Sequence, residues 1–286
     1  MANSATRQYQ MGTKVDINCA KGWEDLQIVD LAKNGEDRRL ARANNFSVEW
    51  LTGDAGQSFA YGSDHETILL FPIVEGRLRG SADKAVPPRS VVIVPPGSYE
   101  VALEQAGAFA ILATHRTDCL TAVESPDARI VPVGRPFTPR RAGVRVHRLD
   151  DVPYPEGNPR LKFLQSETMS INVVEYSGAR SRSALSPHSH AAFEQATLTV
   201  AGEFLHHFRT EWGKDADLWR EDQHIPVGEA VVAIIPPNVI HTTEGVGAGH
   251  HMLFDIFAPP REDFIAKNWV HNADDYTRNG SPIDRL

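Results

Sequence analysis

The feature that most limits what this chain can fold into is a repeat within it. Gly53 to Gly76 lines up with Gly178 to Gly202, and Pro95-Pro96-Gly97 lines up with Pro236-Pro237-Asn238, once one insertion near Arg209 to Gln223 is allowed for. An internal repeat of this length points to gene duplication, hence to two domains of one kind. The first copy is a succession of short β-like runs: Phe46–Leu51, Thr67–Val74, Ser90–Val94, Tyr99–Leu103 and Phe109–Thr114. Gly- and Pro-rich turns at 53–56, 75–80, 84–89 and 95–98 separate them. Many short strands with such punctuation predict an all-β barrel or jelly roll. In the second copy the expected strands are Leu161–Leu164, Ser170–Tyr176, Glu194–Val200, Phe204–Phe208, Ala230–Ile235 and His251–Phe257.

The second copy carries the chemistry. Pro187-His188-Ser189-His190-Ala191-Ala192-Phe193-Glu194, read as extended, projects His188, His190 and Glu194 to one face, because residues two and four apart on a strand share a side. Two imidazoles and a carboxylate on one point can hold a divalent metal with positions left open. Taken alone, the stretch reads first as a polar turn followed by a solvated carboxylate. About fifty residues later, Gly228-Glu229, the apolar run Ala230 to Ile235, the turn Pro236-Pro237-Asn238 and then His241 add a second element.

Together these stretches read G-x9-HxH-x3-E-x7-G and G-x7-PxN-x2-H, which resembles the paired signatures of the cupin superfamily. Asn238 stands where many members have Gly, a mild departure because Asn tolerates positive φ. The spacer before HxH is longer than usual. The resemblance implies a small β-barrel whose metal is held by His188, His190, Glu194 and His241, and for the whole chain an all-β bicupin of two jelly-roll barrels. The expected layout is an N-terminal barrel over residues 1–130, a connector at 131–143, a C-terminal barrel over 144–258 and a tail over 259–286.

Transferring the repeat to the first copy puts Gly62, Asp64, Ile68 and Glu100 where the second has His188, His190, Glu194 and His241. The first barrel is therefore expected to be metal-free and structural, the alternative being a weak site of Asp64, His65 and Glu100. Pro126, Pro132, Pro136 and Pro139 mark a wrapped connector. Trp269 and Tyr276 are expected to pack the tail against a barrel or a neighbouring subunit. Four further residues invite a role around the metal or substrate: Arg182 (with Arg180) as part of a solvated loop or for a substrate carboxylate, His206 as a satisfied core histidine or proton relay, Trp212 (with Trp219) as a lid or an exposed hairpin, and Asp255 as an orienting group for a ligand imidazole.

Hydrophobic residues make up 41% of the 286, enough for a core, and the formal charge of -8 argues against a nucleic-acid partner. No apolar run is long enough to span a membrane. MANSATRQYQ lacks the apolar stretch of a secretory signal. Cys19 and Cys119 are too few for a disulfide framework. A cytoplasmic protein is expected, with a small-molecule substrate and a homodimeric state. The resemblance implies one divalent transition metal, Fe(II) first, with Mn, Zn, Ni or Cu as alternatives. It also implies, first, a dioxygenase acting on a small oxygenated organic acid or aromatic. The alternatives are a non-redox isomerase, lyase or hydrolase using the metal as Lewis acid, or a small-molecule-binding bicupin without turnover.

Overall fold

The computed structural model describes residues 26–114, 137–278 and 281–282. Cys19, Cys119 and most of the proline-bearing connector fall outside the described residues. The expected strands of both copies form, and they assemble into two six-stranded antiparallel sheets of matching order. One runs Arg145–Arg148, Ser90–Val94, Thr67–Phe71, Gly107–Thr114, Phe46–Gly53, Arg38–Arg42. The other runs Gln27–Asp30, Val231–Ile235, Glu194–Ala201, His250–Ala258, Ser170–Ser177, Leu161–Gln165. The sequence repeat is thus a repeat of the fold, a duplicated jelly roll.

Each sheet ends on a strand from the other half of the chain. Gln27–Asp30 pairs with Val231–Ile235, and Arg145–Arg148 pairs with Ser90–Val94, so the segments 1–130 and 144–258 exchange one strand each.

Strand alternation explains the layers. Phe46, Val48, Ile68, Leu70 and Leu112 from the first sheet meet Ile171, Ala196, Leu198, Ile234 and Phe254 from the second in one buried core. Each fully buried Leu, Ile or Phe there contributes about 1.5–3 kcal/mol relative to exposure. The two large sheets therefore pack back to back. On the outer side of the first lies a four-stranded sheet of Ser58–Ser63, Gly97–Leu103, Gly76–Arg79 and Lys84–Val86. On the outer side of the second lies a three-stranded sheet of Gln223–Val227, Glu203–Arg209 and Ile240–Val246.

The two barrel interiors differ in chemistry. In the first, Leu51, Phe59, Leu69, Phe71, Phe109 and Ile111 fill the space, with Phe71 and Phe109 stacked at 5.1 Å. Of the positions considered for a weak site there, Asp64 is exposed, His65 sits 3.6 Å from Glu167, and Glu100 pairs with Arg79 on the outer face at 3.0 Å. They do not converge.

The tail closes the second barrel's end. A short helix, Glu262–Ala266, brings Phe264 and Trp269 against Phe163, at centroid distances of 4.7 and 5.3 Å. Tyr276 is buried, and its hydroxyl donates to Glu66 of the first barrel, which also pairs with Arg145. Both aromatic residues pack within this chain.

Candidate metal centre

The site is built where the segment before the second barrel's first inner strand runs beside Ile240–Val246. Arg180 N–H donates to Gly245 O at 3.0 Å, and His188 and His241 exchange both backbone bonds at 3.1 and 2.8 Å. Arg180 also donates from its guanidinium to Thr243 O at 2.8 Å, holding the segment onto the strand. The turn at Asn238 adopts φ 69°, the left-handed conformation expected where Asn replaces Gly, and its N–H donates to His190 O at 2.6 Å. These backbone bonds place the three imidazoles together. Ring centroids lie 4.7 Å apart for His188 and His241, 4.8 Å for His188 and His190, and 5.4 Å for His190 and His241. One nitrogen from each falls within 4.8 Å of the others.

The hydrogen bonds say which nitrogens face inward. His188 Nδ1 donates to Ser186 O at 2.7 Å and His241 Nδ1 to Val239 O at 2.9 Å, since a carbonyl can only accept. The lone pair of each ring is therefore on Nε2. His190 Nε2 is buried with no hydrogen-bond partner. Burial pushes His241 down to about 4, and burial with the nearby Arg261 cation pushes His190 down to about 3, so both rings are neutral near pH 7 and available as ligands.

Glu194 does not join them. The segment bends at residues 191–193 and the strand begins only at Glu194, so the two-residue alternation assumed from His188 does not carry through. Its side chain turns to the face shared with Ala196 and Leu198. There the carboxylate accepts from the backbone and side-chain N–H groups of Asn44 and Asn45, at 2.9–3.1 Å. The residue expected as fourth ligand ties the two halves of the chain together instead.

Gln195 takes the place beside the histidines. Its Oε1 lies 3.0 Å from His241 Nε2, while its Nε2 donates to Thr197 Oγ1 at 3.3 Å and Asp255 Oδ1 at 3.2 Å. With the imidazole proton on Nδ1, the oxygen and nitrogen meet lone pair to lone pair. A cation relieves that confrontation. His241 Nε2 and Gln195 Oε1 would then both serve as donors to it. The residue types fit a divalent metal: three imidazoles and one amide oxygen. Two signals pointed to Gln195. The strand reads Glu-Gln-Ala-Thr-Leu-Thr-Val-Ala, with its polar residues Gln195, Thr197 and Thr199 alternating against Ala196, Leu198 and Val200. The repeat aligns Gln195 with Leu69, which faces the interior of the first barrel.

The other singled-out residues divide. Asp255 reaches the centre through Gln195 and accepts from Thr197 Oγ1 at 2.6 Å. His206 is buried in the barrel, bonded through Nδ1 to Thr243 Oγ1 at 2.8 Å, with Nε2 unpartnered. Arg182 points away and donates to Glu244 at 3.0 Å on a side shared with His207. Trp212, 67% exposed, stacks on Trp219 at 4.6 Å in the insertion hairpin rather than over the histidines. Phe193 and Phe257, which lie against His190 at 4.3 and 6.0 Å, were not singled out from the sequence.

No protein-family model matches the sequence, and no curated protein matches it. Solved structures match by shape. An IolB-like protein from Salmonella typhimurium LT2 aligns with a TM-score of 0.55 at 12% identity, over 82% of this chain and 93% of that one. HEPD from Streptomyces albus, solved with 2-hydroxyethylphosphonate and Fe(II), gives 0.55 at 10% identity over 84% and 77%. Oxalate decarboxylase from Lactobacillus farciminis, solved as a formate complex, gives 0.55 at 10% identity over 82% and 86%. At such identities the likeness speaks for the fold. Among the described residues no helix is long and apolar enough to cross a membrane. By fold, this chain is a duplicated jelly roll similar to these solved structures, with two barrels on one polypeptide.

Proposed function

We propose that the C-terminal barrel is the centre of a mononuclear metal-dependent enzyme acting on a small, oxygen-rich organic anion. His188, His190 and His241 would hold the ion through Nε2, with Gln195 Oε1 as a fourth donor. The observation that carries this reading is the convergence of three imidazole nitrogens within 4.8 Å in a barrel whose duplicate has an apolar interior. Imidazole and amide donors suit Fe(II), Mn(II), Zn(II), Ni(II) or Cu(II), and their affinities alone do not choose among these. A divalent ion held there supplies Lewis acidity toward a substrate oxygen.

The donor set is neutral, which favours non-redox isomerase or lyase chemistry on an anionic substrate: the ligands cancel none of the ion's charge, and none is a carboxylate that would stabilise an oxidised ion. Phe193 and Phe257 wall the His190 side and keep water from it. His206, held neutral by burial and with its Nε2 unpartnered, lines the same barrel.

A second reading, an O2-dependent oxygenase using Fe(II), draws support from the similarity to HEPD, which was solved with Fe(II) bound. The test is to load metal-free protein with Fe(II), Mn(II) or Zn(II) and offer hydroxy acids, oxo acids, diketones, catechols and gentisate-like acids with and without O2. Turnover in the absence of O2 supports the first reading. Turnover only with equimolar O2 consumption moves the assignment to the second. Failure to bind any of the metals overturns both.

A further inference from the structure

We propose that Asp255 is a positioning residue of this centre, holding the Gln195 amide with its oxygen toward the ion. The inference rests on the metal reading above.

A primary amide has two ends of similar shape and opposite polarity, and only the oxygen can bind a cation. Which end faces His241 is decided on the other side of Gln195. Asp255 lies on the neighbouring strand, opposite Thr197 in the register. Its Oδ1 accepts from Gln195 Nε2 at 3.2 Å and from Thr197 Oγ1 at 2.6 Å. The threonine hydroxyl, having donated its proton to the carboxylate, accepts from the same Gln195 Nε2 at 3.3 Å. Both neighbours thus ask for the NH2 end. Turned over, Gln195 would set its oxygen against the Asp255 carboxylate and its N–H groups against the metal, two repulsions at once. An acidic side chain thus stands behind the histidines, with the Gln195 amide between it and them. Groups in this position commonly change metal affinity by about 10–100-fold.

The test uses the full chain, stripped of metal and titrated with Co(II), following the visible absorption bands with a competing chelator to obtain the Kd. Asp255→Asn keeps the shape and can present an NH2 group to Gln195 where the carboxyl only accepted, and is expected to weaken Co(II) by about 10–100-fold. Thr197→Val, which breaks one of the two ties and leaves the Asp255 carboxyl, is expected to cost about 10-fold, the low end of the same range. The decisive comparison is made in the Gln195→Glu background. There the ligand carries its own charge and has no end to choose, so Asp255→Asn is expected to leave Co(II) affinity unchanged or to raise it. A merely structural Asp255 would weaken binding alike in both backgrounds. That result, or an Asp255→Asn protein that folds and binds Co(II) as the parent does, overturns the proposal. Failure of the parent itself to bind Co(II) would instead overturn the metal reading and this inference with it.

Discussion

Glu194 and Gln195 are adjacent in the chain and serve opposite sides of one strand. Gln195 sets its amide oxygen 3.0 Å from His241 Nε2, while the Glu194 carboxylate is held by Asn44 and Asn45 in the seam between the barrels. A structural carboxylate and a neutral candidate donor thus sit where one acidic ligand was expected, and the two proposed roles should separate under mutation.

Replacing His190 or His241 by Ala is expected to weaken divalent-metal binding by about 100-fold or more and to leave the fold intact, because each removes one ligand without disturbing the buried sheets. Metal content by elemental analysis, together with a far-UV circular dichroism spectrum, checks this. Retained stoichiometry would remove the histidines from the site.

Glu194→Ala is expected to do the reverse. Removing a buried carboxylate that accepts from four N–H groups leaves those donors in a low-dielectric seam, at a cost of about 2–4 kcal/mol in urea unfolding. Metal stoichiometry should not change. A stable variant that has lost its metal would restore Glu194 to the ligand set.

The first barrel should behave as a core without a metal. Phe109→Ala opens a cavity where Phe71 and Phe59 pack, at 5.1 and 5.6 Å, and is expected to cost about 3–5 kcal/mol. Glu100→Ala, which loses only an exposed pair with Arg79, should cost less than about 1 kcal/mol and leave metal stoichiometry unchanged. A drop in bound metal from either would mean that this barrel also binds it.

Acid should destabilise the metal-free protein in a defined window. Burial pushes His206 down to about 3 and His147 down to about 4, both from an ordinary value of 6.5. Between the folded and unfolded values the unfolded chain binds the extra protons, so stability rises with pH there. It should be complete above about pH 7 and fall by on the order of 3 kcal/mol per histidine towards pH 4. Urea midpoints at a series of pH values measure this. His206→Gln should flatten the slope, and an unchanged slope would mean that His206 is not held neutral by the fold.

Much of the fold was legible because it is written in short-range pattern. Alternation, Gly/Pro turns and the repeat locate strands such as Ser170–Ser177 and His250–Ala258 and pair the two copies. The three convergent histidines were legible for the same reason, since His-x-His and a His after the Asn238 turn are local. The fourth donor depended on where a strand begins. Ala191-Ala192-Phe193 contains no Gly or Pro to announce a bend. The bend is set at a distance, by Asn238 bonding His190 O and by Phe193 packing on Phe257 and under Arg261. The exchange of Gln27–Asp30 and Arg145–Arg148 between the two sheets was illegible for a related reason. Which sheet edge a strand joins is decided by partners far away in sequence, as with Glu66, Arg145 and Tyr276, which meet from three separate parts of the chain.

The central claim is that three histidines and Gln195 of the second barrel hold one divalent metal. Its most direct test is elemental analysis of tag-free protein, as purified and after reconstitution, beside Gln195→Ala and His241→Ala. The expected result is one equivalent of a divalent transition metal per chain in the parent, weakened by about 10–100-fold in affinity for Gln195→Ala and lost in His241→Ala. A parent that takes up no metal, or a His241→Ala protein that keeps a full equivalent, would contradict it.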